Sequence, residues 1–170
     1  MLARKARLPD AQRIHELIAE YAREEILLPR SLAEICENIR DFAVVESGGE
    51  VVGCGALHFY GDDLAEIRSI AVARDLQRQG AGRRLVEALL AEARHHRVGR
   101  VCLFTRIPEY FARLGFVPVS HESLPQKIWK DCLKCPRFYR CDETAMVVGG
   151  APARAAAGRA ARPFLDSFPG

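Results

Sequence analysis

Behind Pro9 and Asp10, apolar residues recur at helical spacing. Ile14, Leu17, Ile18 and Tyr21 share one face and predict a helix, preceded by a short edge strand over residues 3–8. Pro29 closes that region. Ser31 and Glu34 form an S-x-x-E capping box, and Leu32, Ile35, Cys36 and Ile39 repeat behind it as a second helix. The period then changes to that of strands. Phe42 to Glu46 and Val51 to Tyr60 flank Gly48-Gly49, the signature of a hairpin. After a second turn at Gly61-Asp62-Asp63, Leu64 to Ala73 is a third strand.

A polar loop over 74–82 leads into a helix striped by Leu85, Val86, Leu89, Leu90 and Ala93. Strands are expected at Val101–Thr105, Phe116–Val119 and Ala145–Val148. A short helix at Pro108–Leu114 is stopped by Gly115, and another spans 124–135. The order β-α-α-β-β-β-α-β-α-β-α-β places hairpins first and a strand-helix-strand crossover in the middle. That order implies an α/β (α+β) fold with a mixed sheet flanked by helices. The ordered domain should cover residues 1–148. Residues 149–170, rich in Ala, Gly, Arg and Pro, read as a disordered tail.

Composition narrows the function. The 170 residues are 49% hydrophobic and 28% charged, a globular balance. The net charge is +3, of which Arg154, Arg159 and Arg162 against Asp166 supply +2 in the tail. The remaining +1 is no nucleic-acid footprint. No apolar run reaches the roughly 20 residues of a membrane span. The opening MLARKARLPD lacks an apolar core of the secretory type, so a cytoplasmic, non-membrane protein is expected.

Gln77-Arg78-Gln79-Gly80-Ala81-Gly82 lies between a strand and an amphipathic helix. Glycines there let backbone N–H groups converge, and a helix N-terminus adds partial positive charge, so the segment suits a phosphate or pyrophosphate. The G-x-x-x-x-G-K-[ST] loop is absent. In the G-x-G-x-x-G fingerprint Leu85 would occupy the third glycine. The pattern [RQ]-x-x-G-x-[GA], used for acetyl-coenzyme A, is met by Gln77, Gly80 and Gly82.

With I-R-S-I-A-V-A-R-D-L-Q-R-Q-G-A-G-R-R-L, the later F-A-R-L-G-F and this element order, the chain resembles the GNAT superfamily of N-acetyltransferases over about residues 3–148. Within it, L-L-P-R-S-L-A-E-I, V-V-G-C-G-A-L-H, L-A-E-I-R-S-I-A-V and L-P-Q-K-I-W-K-D-C-L-K-C-P resemble short, single-domain N-acetylglutamate synthases. These enzymes acetylate L-glutamate at the start of arginine biosynthesis.

The resemblance implies a splayed sheet of about seven strands with acetyl-CoA wedged between Leu64–Ala73 and Val101–Thr105. The pantetheine arm would pair with the backbone of Ile70, Ala71 and Val72, and an N–H near Ile70 or Ala71 would hold the oxyanion. The pyrophosphate would rest on Gln77, Arg78, Gln79, Gly80, Ala81, Gly82 and Arg83.

An α-amine is mostly ammonium at pH 7, so a base is needed. Glu66 is the first candidate, on a strand face shared by alternation with Arg68 and Ile70. His58 is the second. Each also has a structural reading: Glu66 paired with Arg68, and His58 a hydrogen-bonded strand-end residue. The tyrosine that protonates the leaving thiolate in many family members would stand at Phe111, one residue after Tyr110. A thiolate of pKa near 8.5 can leave without that acid. A covalent route through Cys54 or Cys102 lacks a neighbouring histidine.

Two substrate carboxylates call for basic partners. Arg30, Arg68, Arg106 and Lys127 are the candidates, Arg30 and Arg68 foremost, and each could also be a solvated surface charge. Cys132, Cys135 and Cys141 spell C-x2-C-x5-C. They could hold a structural zinc, with His121 or Asp131 as fourth ligand, or form a reduced cap on the acceptor side. No catalytic metal is expected. Alternatives in view are a transferase for another small amine or a protein N-terminus, and a non-catalytic acetyl-CoA sensor. Small family members often form a homodimer, which the sequence leaves open.

Overall fold

The computed structural model describes residues 1–130, 132–135 and 138–149, and at 128–130, 134 and 138 the backbone alone. Strands β1 (Leu2–Lys5), β2 (Phe42–Ser47), β3 (Glu50–Phe59), β4 (Leu64–Val72), β5 (Arg100–Thr105), β6 (Val117–Pro118) and β7 (Thr144–Val148) join one sheet in the order β1-β2-β3-β4-β5-β7-β6. The helices are α1 (Ala11–Arg23), α2 (Leu32–Glu37), α3 (Ala81–His95), α4 (Pro108–Ala112) and α5 (Pro125–Lys130). The sheet is mixed, as expected. Only β4 and β5, joined by the α3 crossover, run parallel.

Local chemistry explains the elements. Gly48 and Gly49, at φ +61° and +85°, make the two left-handed positions of the β2–β3 hairpin. The capping box closes at α2: Glu34 N–H donates to Ser31 Oγ, and Ser31 N–H to Glu34 Oε2. Ile14, Leu17 and Ile18 of α1 and Leu85, Val86 and Leu89 of α3 are buried, with Val44, Val45 and Leu57 of the sheet.

Some boundaries differ from expectation. The first strand stops at Lys5 because Pro9 lies in a 3-10 turn, Leu8–Asp10, whose Asp10 carboxylate takes Arg4. The strand at 116–119 shortens to Val117–Pro118, since Pro118 has no N–H to extend a ladder. The helix foreseen over 124–135 is α5 followed by a 3-10 turn, Cys132–Lys134. The expected disordered tail, from residue 150 on, lies outside the described residues.

Two irregularities shape the middle of the sheet. First, β4 pairs with β5 only where Leu64–Glu66 meets Arg100–Cys102. Beyond that point β5 stays with β7, and β4 stays with β3. The strands therefore part, giving the splay that the sequence resemblance implies.

Second, β4 carries a bulge. Cys54 faces Ala71 and Ala56 faces Arg68, so Gly55 alone faces both Ser69 and Ile70. Ser69 takes φ +55°. Gly55 shares the face of Leu57, and a Cβ there would meet Leu85 Cδ2 at 3.1 Å, Leu89 Cδ1 at 3.3 Å and Ile70 Cγ1 at 3.4 Å. Ile70 therefore points to α3, like Ile67, which pairs with Leu57. Glu66, opposite His58, points the other way. The expected common face of Glu66, Arg68 and Ile70 is broken at Ser69, because a bulge adds a residue to the strand and ends strict alternation.

Candidate active site

The splay opens two adjoining cavities. One, of about 520 Å³, runs from Ile67–Val72 of β4 to Leu103–Ile107 around the end of β5 and reaches the start of α3. The other, of about 400 Å³, lies between Glu66–Ser69, the loop after α1 and the segment around α5. Both are lined by Ile26, Leu27, Ile67, Arg68, Ser69, Phe104 and Glu143, so they meet at the β4 bulge.

The larger cavity ends in the glycine loop. Ile70, Val72, Gln77, Arg78, Gly80, Gly82 and Arg83 line it, as a cofactor role for them requires. Ala71 and Ala81 are buried beside it. Gln79 instead turns its amide to the Asp75 carbonyl, at 3.0 Å.

The backbone here is pre-bent. Gly80 has φ +90° and the non-glycine Arg78 has φ +62°, a conformation that the surrounding structure must hold. Gly80 caps a helix of 15 residues, which places the positive end of the helix dipole at this loop. A Cβ at Gly82 would lie 3.0 Å from the Tyr110 hydroxyl. Tyr110 thus seals the loop from the α4 side, while Phe111, the residue at the position of the usual acid, is buried edge-on against Phe116.

Tyr21 fixes the other side of this loop. Its hydroxyl donates to the Val72 carbonyl and receives the Gln77 amide, Nε2, at 2.6 Å. Ala73 N–H donates to Val52, so by alternation Val72 turns its own polar groups toward the splay. That carbonyl is already partnered by Tyr21. The sequence marked Tyr21 only as a core residue.

The smaller cavity gathers Arg30, Arg68 and Lys127, three of the four predicted cations. Lys127 Nζ is 2.7 Å from Glu66 Oε1, and the Tyr60 hydroxyl donates to Glu66 Oε2 at 2.7 Å. Glu66 is only 2% exposed. The partner that sequence spacing suggested for it was Arg68, but a helix 61 positions away supplies the cation. Lys127 also stands over the Phe104 ring, 5.6 Å from its centre. Arg30 comes no nearer than 4.0 Å to Glu34, and it joins Arg68 around a small polar pocket of about 30 Å³ beside α2.

The remaining candidates lie elsewhere. Arg106 is outside the smaller cavity. Its Nη1 donates to the Glu25 carbonyl and its Nε pairs with Asp142, both at 2.9 Å, tying the loop after α1 to the segment before β7. His58 lines neither cavity, because its Nδ1 is turned to Asp41 at 3.2 Å. Burial pushes the Cys54 and Cys102 thiols up to about 12, so neither supplies a thiolate nucleophile.

Cys132, Cys135 and Cys141 all line the smaller cavity, yet among the described residues no three His, Cys, Asp or Glu side chains are grouped to hold a metal ion. His121 is engaged through Nε2 with the Glu143 carbonyl, and Asp131 lies outside the described residues. The zinc alternative thus has no site among them. No helix among the described residues is long and apolar enough to cross a membrane.

Sequence reasoning missed three further lining or supporting residues. Ser69 gives no signal, since glycine is the usual marker of a left-handed bulge. Tyr60 and Glu143 flank or follow segments read for other purposes. Glu143 borders both cavities, and burial raises its carboxyl above the ordinary carboxylate range.

Comparison with known proteins agrees with this architecture. Residues 10–116 match the acetyltransferase (GNAT) family. The chain is 45% identical over 144 residues to an uncharacterized N-acetyltransferase of Chlorobaculum tepidum, covering 85% of this chain and 93% of that one. It is 36% identical over 133 residues to the amino-acid acetyltransferase of Mycobacterium tuberculosis, covering 76% of each. Among solved structures, a Mycobacterium tuberculosis protein in complex with CoA and a second ligand superimposes with a TM-score of 0.75 at 31% identity, covering 89% of this chain and all of that one. The N-acetylglutamate synthase of Neisseria gonorrhoeae, complexed with CoA and N-acetyl-glutamate, gives 0.77 at 30% identity over 86% of this chain, which spans only 34% of that longer protein. A splayed β4–β5 pair, a glycine loop at the head of α3 and a family match over most of the described residues lead to one conclusion: the chain belongs to the GNAT family and is an acetyl-CoA-dependent N-acetyltransferase.

Proposed function

We propose that the acceptor is the α-amine of L-glutamate, which makes the chain an N-acetylglutamate synthase. One observation carries this reading: the smaller cavity is lined by three cations, Arg30, Arg68 and Lys127, two of them guanidinium groups. Two arginines match two carboxylates in number and in bidentate geometry. A polyamine site would need the opposite charge. The amino-acid acetyltransferases and N-acetylglutamate synthase among the similar proteins support the same class of acceptor. In this reading the product enters arginine biosynthesis in the cytoplasm.

Acetyl-CoA would occupy the larger cavity, its pyrophosphate on residues 77–83 and its thioester at the Ser69 bulge where the cavities meet. The amine would attack the thioester carbonyl directly. Buried, protonated Cys54 and Cys102 favour no acyl-enzyme. Coenzyme A would leave as a thiolate, with no tyrosine at position 111 to assist. Glu66 lies at the acceptor cavity, but each of its oxygens already receives a proton donor, so its chief work is to hold Lys127.

The test is release of CoA from acetyl-CoA with a panel of amino acids, polyamines and a peptide. Turnover with L-glutamate is expected, and Arg30→Ala or Arg68→Ala should raise KM for glutamate at least tenfold while KM for acetyl-CoA changes little. Turnover confined to other amines would remove the glutamate assignment.

A further inference from the structure

We infer that Glu143, and not Glu66, is the group that takes the proton from the acceptor ammonium. The inference rests on the acetyl-transfer reading above and identifies the base of that same site.

Place comes first. The reacting carbon must lie where the cofactor cavity meets the acceptor cavity. Of the residues lining both, only Arg68 and Glu143 carry titratable side chains. Arginine stays protonated at any pH the protein survives, so it cannot accept a proton. Glu66 borders the acceptor cavity alone, and His58 borders neither.

Availability comes second. Among the described residues no hydrogen bond or ion pair engages the Glu143 carboxylate, and only its backbone carbonyl is used, by His121 Nε2. Glu66, by contrast, is held between Lys127 and Tyr60.

Basicity comes third. Burial is the main cause that raises Glu143, aided by the Asp142 and Glu66 carboxylates, while Arg106 and Lys127 oppose it. A carboxylate moved upward accepts an ammonium proton more readily near neutral pH.

The charges also close. Arg30 and Arg68 answer the two carboxylates of glutamate, and Glu143 answers its ammonium. In the step itself, one ammonium proton passes to the Glu143 carboxylate. The freed nitrogen lone pair forms the N–C bond as the C–S bond breaks, with its electrons on sulfur. The second nitrogen proton ends on the CoA thiolate, and Glu143 returns its own to water.

The experiment is the pH dependence of kcat and kcat/KM for the wild type, Glu143→Gln, Glu143→Asp and Glu66→Gln, using whichever amine the wild type acetylates best. Acetyl-CoA affinity and thermal unfolding are followed in parallel as a check on folding. Glu143→Gln should lose about 100- to 1,000-fold in kcat. It should also lose the acid limb of the wild-type profile, its residual rate climbing with pH as free amine accumulates, with acetyl-CoA affinity unchanged. Glu143→Asp should keep the limb at a reduced rate. A Glu143→Gln enzyme within threefold of wild type, or one that keeps the limb while Glu66→Gln loses it, overturns the assignment. A wild type that acetylates no amine instead overturns the transferase reading, and that failure is seen before any variant is made.

Discussion

Lys127 Nζ and Glu66 Oε1 stand 2.7 Å apart with side chains 11% and 3% exposed, so a helix near the end of the domain is pinned to its central strand by a nearly dry ion pair. Such a pair gains little over an apolar substitute, but removing one member takes from the other an opposite charge at 2.7 Å. Lys127→Met is expected to lower stability by about 3 kcal/mol, and Glu66→Gln by a comparable amount. The double variant should cost clearly less than the sum of the two. Urea unfolding of the four proteins measures the coupling, and strict additivity would show that the pair does not act as a unit.

Gly82 is the point of close approach between α3 and Tyr110. A Gly82→Ala methyl would meet the Tyr110 hydroxyl at 3.0 Å and push either the ring or the loop. KM for acetyl-CoA should rise about tenfold, or ~1.4 kcal/mol. Tyr110→Phe removes the clashing oxygen, so Tyr110→Phe/Gly82→Ala should recover most of the affinity. No recovery would mean that the glycine serves the ligand's approach and not the ring.

Tyr21→Phe withdraws one donor from the Val72 carbonyl and one acceptor from Gln77 while keeping the ring in the core. The expected cost is about 1–2 kcal/mol in stability. A looser glycine loop should follow, seen as faster amide exchange over residues 77–80 and weaker acetyl-CoA binding. Unchanged exchange there would make Tyr21 a packing residue only.

Much of this architecture can be read from the chain, because it depends on neighbours in sequence. The Ser31–Glu34 box spans three positions, the hairpin needs only Gly48 and Gly49, and the loop at 77–82 announces its bent backbone through two glycines and the following amphipathic helix. What stays hidden depends on folding. Ser69 bulges without a glycine, and that single inserted residue sends Ile70 to α3 and separates it from Glu66. Sequence adjacency favours Arg68 as the partner of Glu66, but the fold brings Lys127. Glu143 follows a cysteine cluster whose spacing points to metal chemistry, and nothing local says that its side chain meets two cavities.

The Arg4–Asp10 pair carries a pH dependence. Arg4 is the main cause that lowers the Asp10 carboxyl, and the Arg7 N–H adds to it. A depressed carboxyl stabilises the fold above its unfolded value, near 4, and the contribution fades as pH falls through the lower folded value. Asp10→Asn should therefore cost about 1–2 kcal/mol at pH 7 and converge on the wild type as pH falls from the unfolded value through the lowered folded one. Thermal melts across that range check the sign, and a gap that persists at low pH would point to packing.

Between β4 and β5 only three residue pairs hold hands before the strands part. The sheet is thus two wings, β1–β4 and β5–β7, sharing a short spine, with the Arg106 strap between the loop after α1 and the segment before β7 as a second tie. In the proposed function acetyl-CoA would lie in that gap and extend the ladder that β4 and β5 leave unfinished. It would then join the two wings as well as react, and each turnover would remove and replace a piece that bridges them.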